Sequence, residues 1–460
     1  MAKLDKVFKA YDVRGVYPEE IQEDLAWRIG HATAAFLRSL MSGYERGQAS
    51  ANRVVVGHDM RPSSEPLVKA LIEGITSSGA GCLDVGLCDT PMVYFAVNHL
   101  ATCGGIMVTA SHNPIEYNGF KVSGAKARPI GGDTGLKEIK RLVTSLRRMP
   151  LGASVGPCQS VDLWREYREH VLKFLRPARR MKVVVDASNG MGGKMVPALF
   201  GGADVEIVPL NFEIGGGFAH PPNPLLESNL AELCEAVPRH QADFGVCLDG
   251  DADRCVFVDE KGLPVRCDLM TAVLCRHFLK ESPGATVLYD LRSSRVVAEE
   301  IRAAGGVPRR ERVGHAFMKK TLADTHAVFG GELSGHFYFR DNYNCDSGAI
   351  AFATALTVIS AGRTPLSQIV APLRRYSHSG EVNFVVDDKP AKMEEVRKAF
   401  PDAEIDHLDG LTCSYKDWWF NLRPSNTEPL LRLSLEAPTP ALMKEKLARL
   451  ETMLGTPVAE

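Results

Sequence analysis

Short β-branched runs punctuate the chain, and each closes on an aspartate before a polar loop: Val54-Val55-Val56-Gly57-His58-Asp59, Val183-Val184-Val185-Asp186 and Val287-Leu288-Tyr289-Asp290. Unbroken apolar character over so few residues predicts strands buried on both faces, the pattern of parallel or mixed sheets. After each comes a second apolar run that also ends in a polar loop. These are Gly105-Ile106-Met107-Val108 before Thr109, Phe244-Gly245-Val246-Cys247-Leu248 before Asp249, and Ala327-Val328-Phe329 before Gly330. The spacing is similar in all three, with 52 residues from Asp59 to Ser111, 63 from Asp186 to Asp249 and 44 from Asp290 to Ser334. Helix-like stretches such as Glu65–Ser77 fill the intervals.

The pattern predicts one α/β unit used three times, over residues 1–155, 156–260 and 261–370. The remaining 371–460 reads differently, with strand-like runs at Glu381–Val386, around Trp418–Leu422 and at Leu430–Leu435, then a helix from Pro440 to Leu454. The turn Ala361-Gly362-Arg363-Thr364-Pro365 and the later Ala371-Pro372 supply hinge material ahead of it. The expected fold class is α/β: three similar α/β domains with mixed sheets plus a smaller, mobile C-terminal α+β domain. Ligands of open α/β sheets bind beyond the carboxyl ends of the strands, so the polar loops belong to one rim if the domains face one another around a central cleft.

Composition narrows the function classes. The chain has 460 residues, 45% hydrophobic and 24% charged, ordinary for a globular protein and too many for one core. Its 54 basic and 56 acidic residues leave a net charge of only -2, which recommends neither nucleic acid nor a membrane as partner. Eleven cysteines without a C-x-x-C pair argue for reduced thiols over a disulfide framework or a structural zinc site. The charged start Met1-Ala2-Lys3-Leu4-Asp5-Lys6 is unlike a signal peptide, and no run reaches membrane-spanning length. A cytoplasmic enzyme is the expectation.

The sharpest chemistry lies at Asp249-Gly250-Asp251-Ala252-Asp253-Arg254, directly after an apolar strand. Carboxylates on alternate residues of a tight loop can turn inward on one hard divalent cation. A solvated surface turn is the plain alternative. An EF-hand fits Asp249, Asp251, Asp253 and Glu260 by spacing but fails at Arg254, where that loop needs glycine, and at the strand where it needs a helix. An aspartyl-phosphate enzyme with Asp249 as nucleophile stays open.

The other loops carry complementary groups. Thr109-Ala110-Ser111-His112-Asn113-Pro114 offers Ser111 as nucleophile or phosphate carrier, with His112 and Lys121 as nearby proton-bearing partners. Gly330-Gly331-Glu332-Leu333-Ser334-Gly335-His336 reads as a loop whose small residues admit a ligand to the backbone and whose Glu332 and Ser334 suit hydroxyl groups; a flexible glycine turn is the plain alternative. Arg423 beside Ser425, Asn426 and Thr427 suits a phosphate dianion. Tyr11-Asp12-Val13-Arg14-Gly15 supplies another loop arginine, and Val313-Gly314-His315 a histidine able to shuttle a proton.

Taken in order, Tyr11–Gly15, Thr109–Pro114, Asp249–Arg254, Gly331–His336 and Arg423–Pro429 resemble the signature of the α-D-phosphohexomutase superfamily across the whole chain. Val313-Gly314-His315 and Glu332-Leu333-Ser334 are most similar to the phosphomannomutase/phosphoglucomutase group; phosphoglucosamine mutases typically carry glutamine where Leu333 stands. The resemblance implies four domains, a phosphorylated Ser111, and Mg2+ held by Asp249, Asp251, Asp253 and a phosphate oxygen on Ser111. It implies that Arg14 and Arg254 steady the phosphoserine region and that Lys121 and His315 assist proton transfer. Tyr11, Glu332, Ser334 and His336 would contact the sugar phosphate, and Arg423, Ser425, Asn426 and Thr427 would hold the phosphate that is not reacting. Arg292 stands where relatives often have lysine; always charged and planar, it suits phosphate binding better than proton donation.

The implied reaction is interconversion of hexose 1-phosphate and 6-phosphate, of mannose or glucose, through a 1,6-bisphosphate that turns round between two transfers. Hexose 1,6-bisphosphate is then activator as well as intermediate, and a monomer or weak dimer acting on small hexose phosphates is expected. The rivals are an aspartyl-phosphate phosphatase or phosphotransferase using Asp249 and a non-catalytic sugar-phosphate-binding protein.

Overall fold

A computed structural model describes residues 2–41, 49–148, 155–215, 217–425 and 430–458. It divides into two compact units. One comprises Met1–Arg266 with Ser334–Ser367, the other Cys267–Leu333 with Gln368–Glu460.

The first unit holds two complete sheets. Strands β1 (Val13–Val16), β2 (Arg53–His58), β3 (Gly81–Leu87), β4 (Gly104–Val108), β5 (Tyr117–Gly124) and β6 (Cys158–Ser160) form a six-stranded sheet in the order β1-β5-β4-β2-β3-β6. Strands β7 (Met181–Asp186), β8 (Val205–Leu210), β9 (Phe244–Leu248), β10 (Cys255–Asp259) and β11 (Pro264–Val265) form a second, in the order β11-β10-β9-β7-β8. In both, the aspartate-ended strand sits between two parallel partners, and the next strand returns antiparallel. The β-branched runs are as continuous as central parallel strands require: Val54, Val55, Val56, Val183, Val184 and Val185 are all completely buried. The hairpin β15 (Phe337–Phe339) and β16 (Cys345–Asp346) belongs to this unit, as does the helix Gly348–Ser360, whose Phe352 meets Phe200 and Phe244 edge to face.

In the second unit β12 (Thr286–Asp290) again lies between parallel partners, β13 (Val307–Glu311) and β14 (Phe329–Gly331). The C-terminal part is an antiparallel sheet of β17 (Ser377–Val385), β18 (Glu404–Asp406), β19 (Leu411–Ser414), β20 (Trp419–Pro424) and β21 (Leu430–Ala437), in the order β17-β21-β20-β19-β18. Two helices, Lys389–Ala399 and Pro440–Leu454, complete its own core of residues such as Phe384, Phe420, Leu433 and Leu450.

The threefold repeat extends to the turn. Asp59 Oδ1 accepts from the backbone N–H of Arg61 at 3.1 Å, Asp186 Oδ1 from Ser188 at 2.9 Å and Asp290 Oδ1 from Arg292 at 2.8 Å. Each aspartate therefore ends its strand by capping its own loop. Two expectations change. Gly330 and Gly331, expected in the loop, lie inside β14; a Cβ on Gly331 would stand 2.1 Å from Thr271 Oγ1, so that glycine permits close packing. Arg423 belongs to β20 instead of opening a loop, which fixes its direction by the sheet. Among the described residues no helix is long and apolar enough to cross a membrane.

Candidate active site

Ser111 follows β4 with φ of 51°, the left-handed region that costs a residue with a Cβ and persists only where surroundings impose it. The surroundings here are hydrogen bonds. Its N–H donates to Thr109 Oγ1 at 2.9 Å, Thr109 donates to Asp59 Oδ2 at 2.7 Å, and Asp59 pairs with Arg61. Arg61, its side chain fully buried, donates to the carbonyls of Ser111, Asn113, Pro114 and Tyr117. One guanidinium thus ties down the whole serine loop.

The Ser111 hydroxyl donates to Asp249 Oδ2 at 2.8 Å and lies 3.3 Å from His112 Nδ1. Burial, reinforced by Arg254, Arg14 and Lys121, holds the His112 imidazole well below its ordinary pKa, so it is neutral beside the hydroxyl. Arg14 donates to Asn113 Oδ1 at 2.7 Å and Asp12 Oδ2 at 2.6 Å, which aligns it with the serine loop. Tyr11 sits half-buried on the same N-terminal segment.

Asp249, Asp251 and Asp253 are buried, with one oxygen from each within 4.8 Å of the others. The hairpin of β9 and β10 places them, and Ala252 at φ 56° makes the tight reversal between. Gly250 lets the two loops touch, since a Cβ there would stand 2.4 Å from the Ser111 carbonyl. Lys121 on β5 bonds Asp251 Oδ2 at 2.7 Å and Asp253 Oδ2 at 2.6 Å. Burial alone would lower its pKa, but Asp251, Asp253 and Asp249 raise it above the ordinary lysine value. Burial, then the charges of Asp253 and Asp251, pushes the Asp249 carboxyl well above the usual range. Burial opposes ionisation of Asp253 too, yet Lys121 and His336 outweigh it and hold that carboxyl well below.

Three carboxylates face Lys121 and the more distant Arg254, which leaves negative charge uncompensated, and the buried Oδ1 of Asp251 has no hydrogen-bond partner. That donor set fits a hard divalent cation. The EF-hand reading stays excluded, because Glu260 accepts from Ser367 and takes no part. Arg254 places its Nε 3.7 Å from Asp249 Oδ2. A bridge pairs Arg254 with His336, bringing His336 Nε2 within 3.5 Å of Asp253 Oδ1 while Ser334 Oγ lies 2.8 Å from His336 Nδ1. So Tyr11, Arg14, Ser111, Lys121, the three aspartates, Arg254, Ser334 and His336 belong to the first unit.

The second unit holds Arg292, His315, Glu332, Arg423 and Ser425. Arg292 donates to Asp290 Oδ2 at 2.7 Å, Leu333 N–H donates to the same oxygen at 2.7 Å, and Glu332 Oε1 accepts from Gly314 N–H at 2.9 Å beside His315. Arg423 Nη2 and Arg432 Nη1 each lie 2.7 Å from Glu381. Asn426 and Thr427 lie outside the described residues. The sequence reading missed Arg61, Thr90, Glu381 and Arg432. The signal for Arg61 was present in Asp59-Met60-Arg61, the same Asp-x-Arg as Asp290-Leu291-Arg292. Thr90, which donates to Asp251, carried none.

The phosphoglucomutase/phosphomannomutase models match in chain order: alpha/beta/alpha domain I at residues 5–148, domain II at 165–262, domain III at 267–376 and the C-terminal domain at 381–452. Similar proteins include the "Phosphohexose mutases" of Xanthomonas campestris pv. campestris strain B100, 40% identical over 447 residues that cover 95% of this chain and 96% of the relative. The phosphomannomutase of Salmonella typhimurium is 38% identical over 467 residues, 99% of each chain. The crystal structure of a phosphoglucomutase/phosphomannomutase family protein from Burkholderia thailandensis matches with a TM-score of 0.88 at 30% identity, covering 98% of both chains.

Proposed function

Because the chain belongs to the phosphoglucomutase/phosphomannomutase family, we propose that its phosphohexomutase activity runs through a phosphoryl group carried on Ser111. The enzyme is an intramolecular phosphotransferase, an isomerase of hexose phosphates. The observation that supports the path is the Ser111 hydroxyl 2.8 Å from Asp249, held by a strained and fully bonded loop over three buried carboxylates.

In the proposed cycle the Ser111–phosphorus bond breaks as the free hydroxyl of a hexose monophosphate bonds to phosphorus, giving the 1,6-bisphosphate. The intermediate turns round and its other phosphate returns to Ser111. Asp249, Asp251 and Asp253 would hold Mg2+, which when bound supplies positive charge to the moving phosphoryl group. Arg14 and Arg254 steady the Ser111 region, and Lys121 and His315 handle the hydroxyl proton. Tyr11, Glu332, Ser334 and His336 read the sugar, while Arg292, Arg423, Ser425, Asn426 and Thr427 hold the phosphate that is not reacting. Mannose and glucose present the same O3 and O4 to Glu332 and differ at C2, so the substrate is the phosphate of mannose, of glucose or of both, and a side-by-side kcat/KM comparison of the two 1-phosphates decides. The setting is cytoplasmic, and the protein a monomer or weak dimer.

Purified protein with Mg2+ and a trace of glucose 1,6-bisphosphate should interconvert mannose 1- and 6-phosphates. Ser111→Ala should abolish this, and chelation should suppress it. Incubation with the bisphosphate should add about 80 Da in a bond that survives hydroxylamine. Absence of turnover with every hexose phosphate, or a hydroxylamine-labile phosphoprotein, would sink the reading.

A further inference from the structure

In the second unit three guanidinium groups converge on one carboxylate. Glu381 lies on β17 just past the bulge that follows His378. Its oxygens stand 2.7 Å from Arg423 Nη2, 2.7 Å from Arg432 Nη1 and 3.5 Å from Arg292 Nη1. Arg423 and Arg432 face each other across β20 and β21, a like-charge pair that repels unless a counter-charge joins it. Glu381 is that counter-charge. Burial alone would raise its pKa, but Arg292, Arg423 and Arg432 bring it down to about 2, so it is ionised at any working pH.

Arg292 also rests on Asp290 at 2.7 Å, so three cations face two anions and one positive charge is left over. The side chains of Arg292 and Arg423 are only 9% and 4% exposed, and the buried Nε of Arg292 has no acceptor. An incoming phosphate dianion is drawn to that excess, but it must compete with Glu381 for the Arg423 fork.

We propose that Glu381 is the internal counter-ion of the phosphate clamp: it holds Arg292, Arg423 and Arg432 ready while no phosphate is bound, and it keeps their grip weak enough for the bisphosphate intermediate to let go and turn round. The proposal rests on the reading of Arg423 as a phosphate ligand. Its physical point is that uniformly tight binding of an intermediate that has to change orientation lowers KM without helping turnover. Glu381 makes and breaks no bond; it is a positioning residue.

The test is calorimetry of glucose 6-phosphate and of inorganic phosphate on the full-length protein, with steady-state kinetics alongside. Glu381→Gln, nearly isosteric, should bind both ligands about tenfold more tightly, the order of one released charge-assisted hydrogen bond, and should lower KM and kcat together. Glu381→Asp, which retracts the carboxylate but keeps its charge, should tighten binding by less, and it carries the measurement if the glutamine variant does not fold. Equal or weaker binding in the variants, or tighter binding with undiminished kcat, would overturn the proposal. Addition of about 80 Da from glucose 1,6-bisphosphate, measured on all three proteins, reports separately on Ser111.

Discussion

Arg61 satisfies all five of its side-chain N–H groups, one on Asp59 and four on carbonyls of the segment 111–117. No other side chain type has that fork, so even lysine, with three donors, would leave at least two of these five acceptors without one. Replacement by methionine removes the donors and strands a buried Asp59, a loss on the order of 3–5 kcal/mol. Arg61→Lys is the more telling variant: it should keep the protein folded with a lowered melting temperature and reduce kcat/KM by at least about tenfold, because the φ of 51° at Ser111 depends on those bonds. Wild-type kinetics in Arg61→Lys would show that the serine loop holds itself. A residue of this kind is hard to read from sequence, because its value lies in four carbonyls that no letter records.

The elements were the most legible part of the chain, and the reason is periodicity. Val54–Val56, Val183–Val185 and Val287–Leu288 have one interpretation as short, doubly buried strands, and each terminal aspartate caps its turn as a polar strand end should. The loops between were legible in composition but not in conformation. Gly330 and Gly331 read as loop residues and proved to be strand residues, because a glycine that permits close packing and one that opens a loop look alike in sequence. Gly250 shows what such a contact does for chemistry. It brings the aspartate hairpin against the serine loop, where an added Cβ would meet backbone that cannot yield cheaply. Gly250→Ala should therefore push Ser111 and Asp249 apart, and misplacement by about 1 Å is enough to cost roughly a hundredfold in rate. The variant should show that loss with an unaltered circular dichroism spectrum; near-normal kcat would mean that the 2.8 Å contact is not needed.

For the whole molecule, the chain's path between compact units decides what can stand alone. It passes from one unit to the other at 266/267, 333/334 and 367/368, so residues of the third α/β repeat are divided between the two. A strict sequence partition into consecutive domains cannot show this, because contacts formed by Ser334–Ser367 are set by the fold they return to. The C-terminal segment differs. All five strands of its sheet lie between Ser377 and Ala437, and its core draws only on residues 382–454. A fragment of residues 374–458 should therefore fold by itself, with a cooperative thermal transition and dispersed amide resonances. It forfeits the Arg295 bonds to the carbonyls of Lys416, Tyr415 and Trp418, which tie down the turn between β19 and β20, and the Arg310 pair with Asp406. It keeps Glu381 with Arg423 and Arg432 but loses Arg292, the largest of the charges that lower the Glu381 pKa, so its response to acid has the same sign as in the whole chain and a smaller size. The folded pKa of Glu381 in the whole chain, about 2, lies below its ordinary 4.5, so the stability it contributes is complete above about pH 4.5 and drains away as pH falls through 2. Melting temperature measured across that window should fall for the fragment and stay flatter for its Glu381→Gln form. A random-coil spectrum at pH 7 would refute the autonomy of the fold, and parallel acid profiles would refute the role of Glu381 in its stability.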